Sequence, residues 1–104
     1  MVEVHPQNSS AVVGKEVQIH CTTMDEDDVH WEFLRNGSIS RMPICIGSSV
    51  SDEVMDKYEC TKEQTTHTLT VKNVVFNDSG IYTCIEDGGR GPGSDSSSLS
   101  VFSE

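Results

Sequence analysis

Asn77 to Cys84 reads NDSGIYTC. Asn77, Asp78, Ser79 and Gly80 are turn formers, and from Ile81 onward the residues favour an extended chain. The stretch is therefore expected to be a turn feeding a short strand over Ile81 to Ile85, with Gly80 allowing a tight backbone at the entrance. On such a strand Tyr82 and Cys84 share one face, and Thr83 and Ile85 share the other.

The same two-residue period recurs on both sides of this stretch. Val17, Ile19 and Cys21 alternate with Gln18 and His20 after a turn at Gly14-Lys15. Val29, Trp31 and Phe33 repeat the pattern up to the turn Asn36-Gly37. Met42 to Ile46 is a short apolar run followed by the polar Gly47-Ser48-Ser49. Tyr58 to Thr61 forms a short candidate strand and Thr68 to Val71 a clearer one, with Leu69 and Val71 on one face. Leu99 and Val101 give a last strand, after a Gly- and Ser-rich segment from Gly88 to Ser98. No segment sustains a helical period. Short strands between turn signals predict an all-β sandwich or barrel, and 104 residues suffice for a single domain spanning 1–104.

Charge narrows the partners. Seventeen acidic residues against seven Lys and Arg give a formal charge of -10. Phosphate binding needs clustered cations, so nucleic acid and anionic membrane surfaces are poor partners. Hydrophobic residues make up 35%, with no apolar run long enough to cross a bilayer, so the chain is expected to be soluble with its two ends near the edges of a domain. Four cysteines, Cys21, Cys45, Cys60 and Cys84, lack the Cys-x-x-Cys spacing of zinc sites. An even count in a small domain implies two disulfides and an oxidising, extracellular compartment. Candidate glycan acceptors at Asn8, Asn36 and Asn77 point the same way.

Candidate chemistry is sparse. His5, His20, His30 and His67 belong to no recognisable catalytic signature, so no enzyme activity and no cofactor are expected. Asp25-Glu26-Asp27-Asp28 offers oxygen ligands for calcium. It lacks the spacing and the glycine of a calcium loop, and a solvated charged tip is the simpler expectation.

The ordered set Gly14-x-x-Val17-x-Ile19-x-Cys21, Trp31, Leu69-x-Val71 and Asp78-x-Gly80-x-Tyr82-x-Cys84 resembles the immunoglobulin superfamily over about Val12 to Val101. The long interval between Cys21 and Cys84 leaves space for two extra edge strands, C' and C'', as in V-set domains, with I-set as the second choice. The resemblance implies an immunoglobulin-like two-sheet antiparallel sandwich in which Cys21 and Cys84 bridge the sheets and Trp31 packs on the bond. It also implies a tyrosine corner at Tyr82 and an ion pair between Asp78 and Lys57, where similar domains usually carry arginine. Cys45 and Cys60 lie outside the family's basic pattern. A bond between them would tie the C' edge to strand D, and free or intermolecular cysteines are the alternative.

The resemblance further implies recognition through the face of the G, F, C and C' strands. Alternation nominates His30, Glu32, Leu34, Thr83 and Ile85 for that face, joined by Met42 or Ile44. Arg90, the only cation of the glycine-rich connection before the last strand, is a further candidate contact. The aromatic-Gly-x-Gly motif of antigen-receptor domains is missing, because Ser94 and Ser96 occupy its glycine positions. The expectation is an ectodomain of an immune-type receptor or adhesion protein, membrane-anchored or secreted, that binds a protein partner. A homophilic dimer and a structural spacer are the alternatives.

Overall fold

In the computed structural model, which describes residues 2–4, 9–23, 28–46, 49–50, 54–86 and 94–103, apolar alternation resolves into ten strands. They are β1 (Val2–Val4), β2 (Ser9–Val12), β3 (Val17–Thr23), β4 (Val29–Arg35), β5 (Met42–Ile46), β6 (Ser49–Val50), β7 (Tyr58–Glu63), β8 (Thr66–Val71), β9 (Gly80–Glu86) and β10 (Ser94–Phe102). One sheet runs β1-β3-β8-β7 and the other β2-β10-β9-β4-β5-β6. Pairing is antiparallel throughout the described strands except for β2, which runs parallel to β10. The expected wholly antiparallel sandwich therefore carries one parallel pair at an edge, because the first two strands divide between the sheets. Short β5 and β6 supply the two extra edge strands.

Strands β3, β4, β8 and β9 each turn one face into the core. Val17, Ile19 and Cys21 on β3 and Leu69 and Val71 on β8 meet Val29, Trp31 and Phe33 on β4 and Tyr82 and Cys84 on β9 in a single core. Trp31 sits beside Cys84 in the strand register and is 1% exposed. Cys21 and Cys84 form a disulfide between the sheets, with Cα atoms 6.6 Å apart. A second disulfide joins Cys45 on β5 to Cys60 on β7, again from one sheet to the other. The rings of Phe33 and Tyr82 stack with centroids 4.5 Å apart.

The turn before β9 is a knot of polar contacts around one carboxylate. Asp78 is buried, and its Oδ2 lies 2.6 Å from Lys57 Nζ while accepting the Val75 N–H at 2.7 Å. Lys57 Nζ also donates to the Asn73 carbonyl at 2.9 Å. The pair links the entrance of β7 to the entrance of β9, and losing one partner would leave a charge in a poorly solvated place. Tyr82 donates its hydroxyl to the Asp78 carbonyl at 2.8 Å, closing the corner from within the core. Burial, reinforced by the Asp78 charge, pushes the neighbouring Tyr58 hydroxyl up to about 12. Gly80 serves a close approach: a Cβ there would collide with the Leu34 carbonyl oxygen and lie 2.7 Å from Phe33 Cε1. A side chain at this position would push β9 away from β4.

Candidate recognition face

The outer face of the larger sheet is built from cross-strand rows centred on β4. Because residues opposite one another project to the same side, the register fixes the membership of each row. Ile46, His30 and Ile85 form the first row across β5, β4 and β9. Pro43, Glu32, Thr83 and Ser96 form the second. Leu34, Ile81 and Ser98 form the third. Two rows with apolar members thus flank a polar one. Ile46 is 69% exposed and Ile81 39% exposed, while Leu34 and Ile85 are half-buried by their neighbours.

Charge on this face centres on Glu32. Its carboxylate lies 3.6 Å from Arg41 Nη1 and 3.9 Å from His30 Nε2. All three groups reach solvent, so these contacts orient the side chains more than they stabilise the fold. Thr83, expected as a contact, faces outward but is only 5% exposed, because its hydroxyl lies 2.8 Å from Ser96 Oγ and the adjoining rows cover it. It packs the middle row together instead of presenting a surface.

Strand β5 departs from the expectation. Ile44 is fully buried and belongs to the core, and Met42, opposite the inward Phe33, packs against that core. Neither is a member of the recognition face. A β-bulge between the pairs Trp31–Cys45 and Glu32–Pro43 shifts the register, so simple alternation along β5 fails. The outward residues of β5 are Pro43 and Ile46. Pro43 was the available signal, since proline inside a strand marks a bulge or an edge. Ile81 and Ser96 were also missed, although two-residue spacing back from Thr83 leads to Ile81.

The remaining candidates are scattered. Arg90, Asn8 and Asp25 to Asp27 lie outside the described residues. Asp28 is exposed and lies 3.3 Å from Lys62 Nζ. Asn36 is exposed in the β4–β5 turn, and Asn77 is exposed in the 3-10 turn Phe76–Asp78. His67 is buried on β8, 3.3 Å from Thr23 Oγ1, and burial together with the Lys62 charge holds its pKa below the ordinary histidine value, partly opposed by Asp28. Among the described residues no helix is long and apolar enough to cross a membrane.

Residues 1–87 match the family described as "Immunoglobulin domain". The chain is also similar to "Ig kappa chain V region 3368" of Oryctolagus cuniculus, at 29% identity over 84 residues that cover 79% of this chain and 76% of that relative.

Proposed function

The chain belongs to the immunoglobulin superfamily as a V-type domain, and from that premise we propose that it is the recognition module of an extracellular receptor or adhesion protein. It binds a protein partner through the outer face of β10, β9, β4 and β5. The function is association, with no reaction catalysed. The observation that supports this reading is the pair of apolar rows, Ile46 with Ile85 and Leu34 with Ile81, set on either side of the Glu32 cluster. Apolar anchors around a polar centre suit a protein interface, in which buried side chains supply affinity and charges set register. Ser94 and Ser96 on β10 stand where an antigen-receptor domain has its glycine bulge, so the face serves a partner other than a paired antibody chain.

Ile46→Arg, Leu34→Arg and Ile85→Arg test the reading, because each places a charge in the contact without touching the core. A fluorescent tetramer of the domain should stain partner-bearing cells, and each substitution should abolish staining while leaving the melting temperature nearly unchanged. Sedimentation over a concentration series accompanies it, and a dimer dissociated by the same substitutions identifies the partner as a second copy. If substitutions across the whole face leave both staining and sedimentation unaltered, the proposed function is wrong.

A further inference from the structure

The two ends of the sandwich differ in chemistry. One end gathers the connections that follow β2, β4 and β8, the entrance of β7 and the close of β10. Among the described residues it holds six of the eight exposed large apolar side chains: Val13, Ile39, Met55, Val75, Phe76 and Phe102. Among the described residues it also holds Lys15, Arg35, Arg41, Lys57 and Lys72, against Glu16, Asp56, Glu59 and Asp78. A chain of formal charge -10 therefore has one end where, among the described residues, cations and carboxylates come close to balance.

Within this end the β4–β5 turn shapes an open cavity of about 180 Å³, lined by Phe33, Arg35, Ser38, Ser40 and Met42. Phe33 is buried and Met42 half-buried, so the floor is apolar. The polar groups are not equally free. Ser38 Oγ accepts the Ser40 N–H at 3.2 Å and donates to the Ser40 carbonyl at 3.3 Å. Arg41, Lys57, Lys62 and Lys72 each have a carboxylate within 3.9 Å. Arg35 is exposed and has no such partner among the described residues.

The geometry points to a carboxylate site: the cavity takes a carboxylate borne on an apolar group, supplied by an acidic, apolar-flanked segment of a protein partner. A guanidinium offers a planar fork that matches a carboxylate in two parallel hydrogen bonds. The Ser40 hydroxyl adds a donor on the rim, and Phe33 with Met42 receives the apolar portion. Ile39, 99% exposed beside the cavity, and the other apolar residues of this end give the flanks of the segment a surface. Carboxylates on the far side of the molecule add little at the cavity. Screening acts over about 8 Å in physiological salt, whereas even the shortest extent of the molecule is 24 Å. An anionic bilayer, by contrast, confronts a much larger share of the negative chain than a bound segment does.

The test is an amide-resolved NMR titration of the isotopically labelled chain. The probes are N-acetyl-leucine, N-acetylleucinamide, which keeps the side chain and lacks the charge, and an end-capped peptide with one glutamate between leucines. Saturating shifts confined to the amides of residues 35–42 are expected with the acid and none with the amide. The capped peptide separates the two sources, since it competes only if a side-chain carboxylate is accepted as well as a chain terminus. Arg35→Gln should weaken binding roughly tenfold or more, as loss of a charged hydrogen-bond partner does. Ser40→Ala, which removes the second donor without altering charge, should weaken it less and covers the case in which Arg35→Gln fails to fold. Equal response to acid and amide, indifference to both substitutions, or absence of saturation overturns the proposal. Arg35-dependent sedimentation with phosphatidylserine vesicles, without any response to N-acetyl-leucine, would overturn it in favour of a lipid surface. Ile85→Arg on the sheet face should leave the titration intact, so the two surfaces fail or succeed separately.

Discussion

Strand β4 has two neighbours, and the two sides of it obey the same alternation rule with different outcomes. Against β9 the register runs unbroken from Val29–Glu86 to Arg35–Gly80. Against β5 it is interrupted after Trp31, and Ile44 sinks into the core while Pro43 and Ile46 turn outward. The difference lies in the hydrogen-bond ladder. A period of two predicts facing only while pairing stays in step, and one inserted residue inverts every assignment beyond it. The centre of the sandwich is thus determined by local pattern, and its edge by an irregularity that the pattern does not encode.

Each region also carries its own disulfide between the sheets, which permits a direct contrast. Replacing Cys21 and Cys84 together by Ala releases a closed loop with a sequence separation of 63, against 15 for Cys45 and Cys60. On chain-entropy grounds the first loss costs about 4 kcal/mol and the second about 3 kcal/mol. Both are large beside the roughly 5 to 15 kcal/mol that hold a domain together. Urea unfolding should therefore rank wild type above the edge variant and the edge variant above the central one. The opposite order would show that the edge bond holds the fold more firmly than the central one, and the contrast would have to be abandoned.

A sharper probe stays within β5. Ile44→Ala removes a fully buried side chain and should cost roughly 2 to 5 kcal/mol, whereas Ile46→Ala should change stability by about 0.5 kcal/mol or less. Denaturation midpoints measure both. Similar losses at the two positions would mean that the bulge is absent in solution and that Ile44 faces out, as plain alternation requires.

Much of the framework was legible because several local signals agreed. Gly80, Tyr82 and Cys84 sit on one uninterrupted strand, and the Lys57–Asp78 contact joins two turns whose sequences carry the charges openly. The face was legible on β4, where His30, Glu32 and Leu34 alternate with large apolar residues. It was illegible on β5, because MPICI is apolar at nearly every position and its burial follows from Pro43 and the bulge. Thr83 illustrates a different limit. Its direction followed from the pattern, but its concealment depends on Ser96, a neighbour brought in from β10. Arg35 escaped notice because its lack of a carboxylate partner among the described residues becomes visible only beside Arg41, Lys57, Lys62 and Lys72, which each have one.

The smallest expected effect extends the contrast between buried and exposed positions to the other sheet, at its interior strand β8. His67 is 2% exposed, opposite Cys21 on one side and Lys62 on the other, and its ring approaches Thr23 Oγ1. Burial first, then the Lys62 charge, lowers its pKa in the folded chain, while Asp28 pulls the other way. In the unfolded chain His67 takes up a proton as pH falls through about 6.5, whereas in the folded chain it resists until lower pH. The unfolded state then binds more protons, so stability rises with pH across this interval. The contribution is fully present above the unfolded value and is lost as pH falls below it, until the folded histidine is also protonated. One proton limits the slope to about 1.4 kcal/mol per pH unit. Thermal unfolding of the wild type should therefore lose more stability between about pH 7.5 and pH 5.5 than His67→Gln does. Parallel curves for the two proteins would show that His67 protonates alike in both states and that its burial does not govern its charge.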